Sequence, residues 1–180
     1  MPVTAVCMDM KKILLKRPHY AIACAGVLAA ASAFIHPFGL KTNSDRPLLS
    51  GADVDPALVR ILEKSCQNCH SERTEWPWYS YVAPMSWLIE NDVHEARSHL
   101  NLSRWDEYDA RKQHDLLAEL AAVVRSRRMP LPRYTLLHPG DKPSLDEFER
   151  LYQWTRAERR RLTSLASAHS ATPADAGVAR

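Results

Sequence analysis

Apolar side chains recur every three or four residues along four stretches of the chain, the spacing expected of helices that bury one face. The first stretch begins at Asp55-Pro56, where Asp can cap a helix and Pro suits the first helical position, and it continues to Cys66. The second stretch begins at Pro84. The positions expected to be buried on these two helices are Leu58, Ile61, Leu62, Met85, Leu88, Ile89, Val93 and Ala96.

The other two predicted helices each begin at a capping pattern. The Ser-x-x-Asp pattern of residues 103–106 resembles a capping box, and its helix should end near Arg128, because Pro130 disfavours helical backbone at the residue before it. The Ser-x-x-Glu pattern of residues 144–147 opens the last helix. No stretch has the alternation of a strand, so the sequence predicts an all-α domain of about four helices. Its expected buried positions include Trp105, Tyr108, Leu116, Leu120, Val123 or Val124, Phe148, Leu151, Tyr152 and Leu162.

The segments between and beyond these helices divide the chain. Residues 1–38 form an N-terminal signal or anchor segment, and residues 39–54 are a linker of Gly, Asn and Pro among polar residues. The helical domain follows at 55–163, with a Pro-rich loop expected at 129–143. Ala, Ser, Thr and Pro dominate residues 164–180, which predicts a disordered tail.

An apolar run of 16 residues, Tyr20–Ile35, follows a cluster of four basic residues, which is the arrangement of an export signal. The run is longer than the ~7–15 residues of a cleavable signal and shorter than the ~20 that span a bilayer comfortably. Residues 31–33 (Ala-Ser-Ala) offer a cleavage site, but apolar residues continue to Phe38. These features favour an uncleaved anchor that places the domain on the periplasmic side of the bacterial inner membrane, with a cleaved, soluble periplasmic protein as the alternative.

Charge and composition narrow the class of protein further. The formal charge is +3, but residues 1–43 carry +4 and the remainder −1, which argues against nucleic-acid binding by the helical domain. A hydrophobic content of 46% with 25% charged residues excludes a collagen-like, wholly disordered or multi-pass membrane protein. Four cysteines are too few for a disulfide scaffold, and two of them, Cys7 and Cys24, lie in the export segment.

The other two cysteines belong to the motif that carries chemistry. Residues 66–70, Cys-Gln-Asn-Cys-His, match C-x-x-C-H, the attachment pattern of c-type haem. Two thiols three residues apart can form thioethers to the two haem vinyl groups, and the adjacent His can bind the iron. A zinc site would need a fourth ligand, and a redox cysteine pair is expected in a βαβ context. The sequence therefore predicts one haem c, held by Cys66 and Cys69, with His70 as the proximal ligand.

The second axial ligand is predicted from its place in the chain. Met129 lies 59 residues after His70, beyond an intervening helical region, on a stretch that Pro130 and Pro132 stiffen. A thioether held there can face the iron from the distal side. His138 is the main rival, and an open sixth position is a further alternative.

An aromatic block, Trp-Pro-Trp-Tyr-Ser at 76–80, follows the haem motif and can exclude water from one haem edge. With this block and the motif, the chain resembles the bacterial haem-binding domain family of single-haem proteins over residues 56–156. The further residues that carry the resemblance are Ala83-Pro84, Ser86-Trp87-Leu88, Asp92-Val93, Leu100-Asn101, Met129-Pro130-Leu131, Tyr134-Thr135 and His138-Pro139. The resemblance implies a cytochrome c-like helical domain, often behind an N-terminal membrane anchor, with Met129 in the distal position.

The expected function follows from the motif and the export segment. The sequence predicts an exported, membrane-anchored monohaem c-type cytochrome that transfers single electrons and is not an enzyme. Its expected partners are redox proteins of the cell envelope and the membrane itself, and no nucleic acid. The alternative is a haem-based sensor or ligand-binding module with an exchangeable sixth ligand. A peroxidase-like enzyme comes third, because no acid–base residue can be singled out for it.

Overall fold

Helices supply all of the regular secondary structure in the computed structural model, which describes residues 18–32, 35, 38 and 42–171. The all-α prediction is confirmed, although this part of the chain holds more helices than expected. The α-helices are α1 (Pro18–Ser32), α2 (Pro56–Ser65), α3 (Gln67–His70), α4 (Met85–His99), α5 (Ala110–Ser126), α6 (Pro132–Leu137) and α7 (Leu145–Ala171). The 3₁₀ segments are Trp78–Tyr81, Leu102–Glu107 and Pro139–Asp141.

The chain divides into two compact units. Among the described residues, the first unit comprises those before position 42 together with Trp76–His94. The second comprises Thr42–Glu75 together with those from Glu95 onward, so that α4 begins in one unit and ends in the other. In the first unit, Trp87 Nε1 donates a hydrogen bond to the carbonyl oxygen of Ile35 at 3.2 Å.

The N-terminal helix α1 exposes its apolar side chains. Ile22, Val27 and Leu28 are each about 70% exposed, at 73%, 69% and 70%. Across the described ranges, no helix has both the length and the apolar character that a membrane crossing requires. The predicted anchor is therefore not confirmed and stays a prediction. The basic cluster before α1, as well as Cys7, lies outside the described residues.

The hydrophobic core of the second unit lies where α5 packs along α7 and α2 contacts α7. Each helix is amphipathic, and its apolar stripe faces this core, where complete burial of one Leu side chain contributes about 1.5–3 kcal/mol. Leu62, Leu117 and Leu151 are at most 1% exposed. The core residues are Leu48, Leu49, Leu58, Ile61, Leu62, Leu102, Trp105, Leu116, Leu117, Val124, Phe148, Leu151 and Leu162.

Residues 42–54, here called the N-terminal strap, were predicted to be part of a linker at 39–54. In the structure they belong to the second unit. Leu48 and Leu49 are 6% and 2% exposed, and the amide of Leu49 donates to the carbonyl of Leu102 at 2.9 Å. Trp154 Nε1 donates to the carbonyl of Asp53 at 2.9 Å. The strap is thus fixed to the helical domain, because its two leucines complete the core.

The predicted start of the third helix was wrong. Asn101, rather than a residue of the pattern at 103–106, caps the 3₁₀ segment, since its Oδ1 accepts from the amide of Ser103 at 3.1 Å. The hydroxyl of Ser103 instead accepts from the amide of Glu72 at 3.0 Å. Helix α5 begins only at Ala110, where Asp109 Oδ1 accepts from an amide in the first turn. A tertiary hydrogen bond therefore outcompeted the local capping pattern.

Of the predictions for the C-terminal part of the chain, one is confirmed and two are corrected by the structure. The capping box at 144–147 is confirmed: Glu147 donates its amide to Ser144 Oγ at 3.2 Å and accepts from the Ser144 amide at 2.7 Å. The predicted loop at 129–143, however, contains the short helix α6. Helix α7 also continues to Ala171, past the predicted start of the tail at 164. Residues 172–180 of that predicted tail lie outside the described residues.

Candidate functional site

The C-x-x-C-H residues form one helical turn, here called the C-x-x-C-H turn (residues 66–70). Cys66 ends α2, where its amide donates to the carbonyl of Leu62 at 2.8 Å, and its own carbonyl then accepts from the His70 amide at 2.9 Å. The backbone of Cys66 is not helical, with φ −128° and ψ −33°, so the chain changes direction there before α3 begins. The structure thus brings Cys66, Cys69 and His70 together in a single turn.

Within the part of the chain that the structure describes, neither cysteine of the turn forms a disulfide, and both are partly buried. Burial, reinforced by the charge of Cys69, raises the pKa of the Cys66 thiol to about 12. A redox-active or metal-binding cysteine pair normally has a lowered pKa, because the thiolate is its working form. Among the described residues, no three His, Cys, Asp or Glu side chains are arranged to bind a metal ion directly.

The imidazole of His70 is held at the C-terminal end of α4. Its Nδ1 lies 3.1 Å from the carbonyl oxygen of Leu100, the residue that follows this helix. A carbonyl oxygen can only accept, so Nδ1 carries the proton and Nε2 keeps its lone pair. Burial lowers the pKa of His70, while hydrogen bonds to the carbonyls of Leu100 and Ala96 oppose the shift. A neutral imidazole with a fixed tautomer is the form that binds metals, so the turn fits a haem.

The residues just after the turn are tied back onto it. Ser71 is fully buried and Thr74 is 5% exposed. The Ser71 hydroxyl donates to the carbonyl of Gln67 at 2.8 Å, and the Thr74 hydroxyl donates to the carbonyl of Asn68 at 2.8 Å. Side chains of residues 71–75, here called the connecting segment, thus donate hydrogen bonds to carbonyls of the four-residue helix α3.

Arg97, near the end of α4, also holds this segment through hydrogen bonds of its guanidinium group. Its Nε donates to the carbonyl of Ser71 at 2.8 Å, and Nη2 donates to Thr74 Oγ1 at 2.9 Å. A third bond, from Nη1 to the carbonyl of Thr42, measures 3.1 Å. Burial lowers the pKa of the Arg97 guanidinium, which nevertheless stays charged at neutral pH. Charge and periodicity gave no reason to single out Arg97, because its acceptors are distant in sequence.

A second set of polar bonds leaves the turn from Asn68, between the two cysteines. Asn68 Nδ2 donates to Tyr134 Oη at 3.0 Å, and Tyr134 Oη donates to Asp141 Oδ2 at 2.5 Å. Asn68 Oδ1 also accepts from the amide of Glu75 at 3.0 Å. Burial, and next the bond to Asp141, raise the pKa of Tyr134, so its hydroxyl stays protonated and can donate. Sequence reasoning missed this network, although Tyr134 lies in a block that carries the resemblance.

The two predicted candidates for the distal position lie on either side of α6. Met129 precedes the helix and is 40% exposed. His138 follows it, with Nδ1 3.2 Å from the carbonyl of Tyr134 and its ring stacked on the Tyr134 ring at a centroid distance of 4.4 Å. Both remain predictions as iron ligands.

The aromatic block lies in the first unit. Trp78 begins a 3₁₀ segment, is 79% exposed and meets Tyr79 edge to face, with centroids 5.8 Å apart. Its expected place at a haem edge stays a prediction.

Comparisons with known proteins support haem binding. The sequence model of the haem-binding domain family matches residues 27–157 of the chain. The cytochrome c peroxidase Ccp of Escherichia coli (strain K12) is 25% identical over 149 residues, which cover 77% of this chain and 32% of that protein. The chain thus spans about a third of the length of this relative. No solved structure matches the chain.

Proposed function

The chain belongs to the haem-binding domain family, and on this premise we propose that it is a monohaem c-type cytochrome that transfers single electrons. Cys66 and Cys69 would hold the haem through thioethers, with His70 and Met129 as its axial ligands. The observation that carries the proposal is the C-x-x-C-H turn, which brings the two cysteines together with an imidazole whose Nδ1 lies 3.1 Å from a carbonyl oxygen. Because that carbonyl accepts the Nδ1 proton, Nε2 keeps the lone pair that a proximal ligand needs to bind the iron.

The protein's own residues prepare this site. The haem, when bound, would supply an iron that changes its charge by one electron. The carbonyl of Leu100 keeps the His70 imidazole in one tautomer and one orientation. Arg97 and Asn68 hold the chain that leaves the turn, so the ligand geometry is set before the cofactor arrives. Such preorganisation reduces the structural change that accompanies a change in iron charge.

Covalent attachment is tested by expressing the chain with a cytochrome c maturation system. We expect haem to stay with the polypeptide on a denaturing gel, and the Cys66→Ala/Cys69→Ala double variant to lose it. A wild-type chain that releases its haem on denaturation would contradict the proposal.

Ligation by Met129 is tested separately, with Met85→Ala as a matched control. The two methionines are almost equally exposed, at 40% and 39%. We expect the ferric Met129→Ala protein to lose the methionine-to-iron charge-transfer absorption band, and the Met85→Ala protein to keep it. If the Met129 variant keeps the band, another methionine is the distal ligand. If the wild-type protein has no such band, Met129 is not the ligand, and His138→Ala should then change the native low-spin spectrum.

A haem enzyme that reduces peroxide is a second candidate, supported by the name of the E. coli relative. Its test is steady-state oxidation of a reduced cytochrome by hydrogen peroxide in the presence of the haem-loaded protein. Turnover by the wild-type protein would favour the enzyme. Rapid binding of CO to the ferrous protein without peroxide turnover would instead favour a sensor with an exchangeable sixth ligand.

We propose further that α1 inserts in the inner membrane and leaves the haem domain in the periplasm, where redox proteins of the envelope are its partners. The exposed apolar side chains of Ile22, Val27 and Leu28 support this placement. Cell fractionation of the full chain and of a chain without residues 1–38 tests it. N-terminal sequencing of the mature protein distinguishes an anchor from a cleaved signal.

A further inference from the structure

Tyr134 connects the C-x-x-C-H turn to the Met129 segment, defined here as residues 129–141. Asn68 donates to the Tyr134 hydroxyl at 3.0 Å, and this hydroxyl donates its proton to Asp141 at 2.5 Å. The three groups form a directed chain in which each donor meets an acceptor, from an amide through a phenol to a carboxylate. One end of this series of hydrogen bonds, Asn68, lies between the two cysteines, and the other end, Asp141, is the last residue of the Met129 segment.

The hydrophobic core does little to hold the Met129 segment in place. Neither α6 nor the 3₁₀ segment Pro139–Asp141 has a buried residue. Leu136 and Leu137 are 81% and 55% exposed, and Met129 itself is 40% exposed. A segment with so little apolar burial depends on its polar contacts for its position.

We propose that Tyr134 is a positioning residue that holds the Met129 segment beside the C-x-x-C-H turn and so keeps Met129 on the haem iron. This inference rests on the proposed function, because it takes Met129 as the distal ligand. Tyr134 does not touch the iron in this scheme. It sets the fraction of molecules in which Met129 is displaced, and thereby the ease with which an external ligand enters.

The consequence is measurable as competition for the sixth position. An external ligand binds only molecules in which Met129 has left, so its apparent affinity scales with that fraction. Loss of one well-made hydrogen bond changes such an equilibrium by about tenfold. We therefore expect the apparent Kd for imidazole on the ferric, haem-loaded protein to fall by about tenfold in Tyr134→Phe.

The matched control is Tyr152→Phe, which removes the same atom from another tyrosine of the second unit. Tyr152 packs against the core under the guanidinium of Arg125, and within the described ranges its hydroxyl makes no hydrogen bond. We expect its imidazole Kd to stay within about twofold of the wild type. Asp141→Ala, which removes only the acceptor of the Tyr134 proton, should shift the Kd in the same direction as Tyr134→Phe but by less.

The spectrum of the ferric protein supplies a readout that a merely structural role would not move. With no added ligand, Tyr134→Phe should have a weaker methionine-to-iron band than the wild type, while far-UV circular dichroism shows the same helix content. An unchanged band and an unchanged imidazole Kd in both Tyr134→Phe and Asp141→Ala would overturn the inference. If the wild-type protein carries covalent haem but has no methionine band, the assignment of Met129 in the proposed function fails first, which is a distinguishable result.

Discussion

Arg97 permits a prediction whose magnitude can be worked from the structure. The variant Arg97→Met keeps the aliphatic stem but removes all three guanidinium bonds. Two of their acceptors, the carbonyl of Ser71 and the hydroxyl of Thr74, belong to residues that are 0% and 5% exposed, so water cannot easily replace the lost donor. Each such loss costs about 1–1.5 kcal/mol. The third acceptor is the carbonyl of Thr42, an exposed residue, and its loss should cost little.

We therefore expect Arg97→Met to lower the free energy of unfolding of the haem-loaded protein by about 2–3 kcal/mol. Arg97→Lys retains one charged donor but lacks the planar fork, so it should lose roughly half as much. The assay is equilibrium unfolding in urea, followed by far-UV circular dichroism. Covalent haem would stay attached in the unfolded state, so the transition reports folding alone.

Arg73→Met is the matched control, because Arg73 lies on the same connecting segment between two residues that Arg97 holds. Its guanidinium makes a 3.3 Å ion pair with Glu63, and the two side chains are 42% and 36% exposed. A surface pair of this kind contributes about 0–1 kcal/mol. If the free energies of unfolding of Arg97→Met and Arg73→Met differ by less than about 0.5 kcal/mol, the loss does not come from the buried acceptors, and the reasoning is refuted.

Two further predictions concern charged groups on α7. The side chain of Glu158 is 2% exposed, and the guanidinium of Arg161 donates to its carboxylate at 2.7 and 2.5 Å. Arg161→Ala removes this donor from a buried charge and should lower the free energy of unfolding by about 3 kcal/mol. Thermal unfolding measures the effect, with a substitution of the exposed Arg160 to Ala as the control, and equal melting temperatures of the two variants would contradict the prediction. The hydrogen bond from Lys64 at 2.6 Å holds the pKa of Glu147 below its ordinary value, so the stabilisation is present at neutral pH and is lost as the pH falls through the lowered folded-state pKa. Glu147→Gln should therefore be less stable than the wild type at pH 7, and the difference in free energy of unfolding should shrink as the pH is lowered through and below the ordinary range of a Glu carboxyl. A difference that stays constant during this acidification, measured by urea unfolding, would count against the assignment.

Local signals in the sequence predicted the parts of the fold that short-range chemistry decides. Asp55 caps α2 through a 2.7 Å bond to the amide of Ala57, and the capping box at 144–147 opens α7. The C-x-x-C-H turn was equally visible, because its spacing is itself the chemical requirement. In each case every group that decides the outcome lies within four residues of the next.

The parts that sequence reasoning missed depend on groups that are far apart in the chain. Asn68 and Tyr134 are separated by 66 positions, and each is an ordinary polar residue until the fold brings it to the other. The same holds for Ser103, whose hydroxyl reaches the amide of Glu72 and so does not cap α5. Helix α6 was missed because the prolines around it indicated a loop, although Pro132 also suits the first position of a helix.

The N-terminal strap has a consequence for how the haem-binding domain could be separated from the predicted export segment. Cleavage downstream of Leu49 would take two leucines out of the core and leave a hole in the domain. Cleavage upstream of Thr42 would leave those leucines, and the bond from Trp154 to Asp53, in place. The signal-peptidase site expected at residues 31–33 lies on the permissive side of this limit. Retention and removal of the predicted export segment are therefore both compatible with the same core of the second unit, and limited proteolysis should yield a stable product that begins before residue 42.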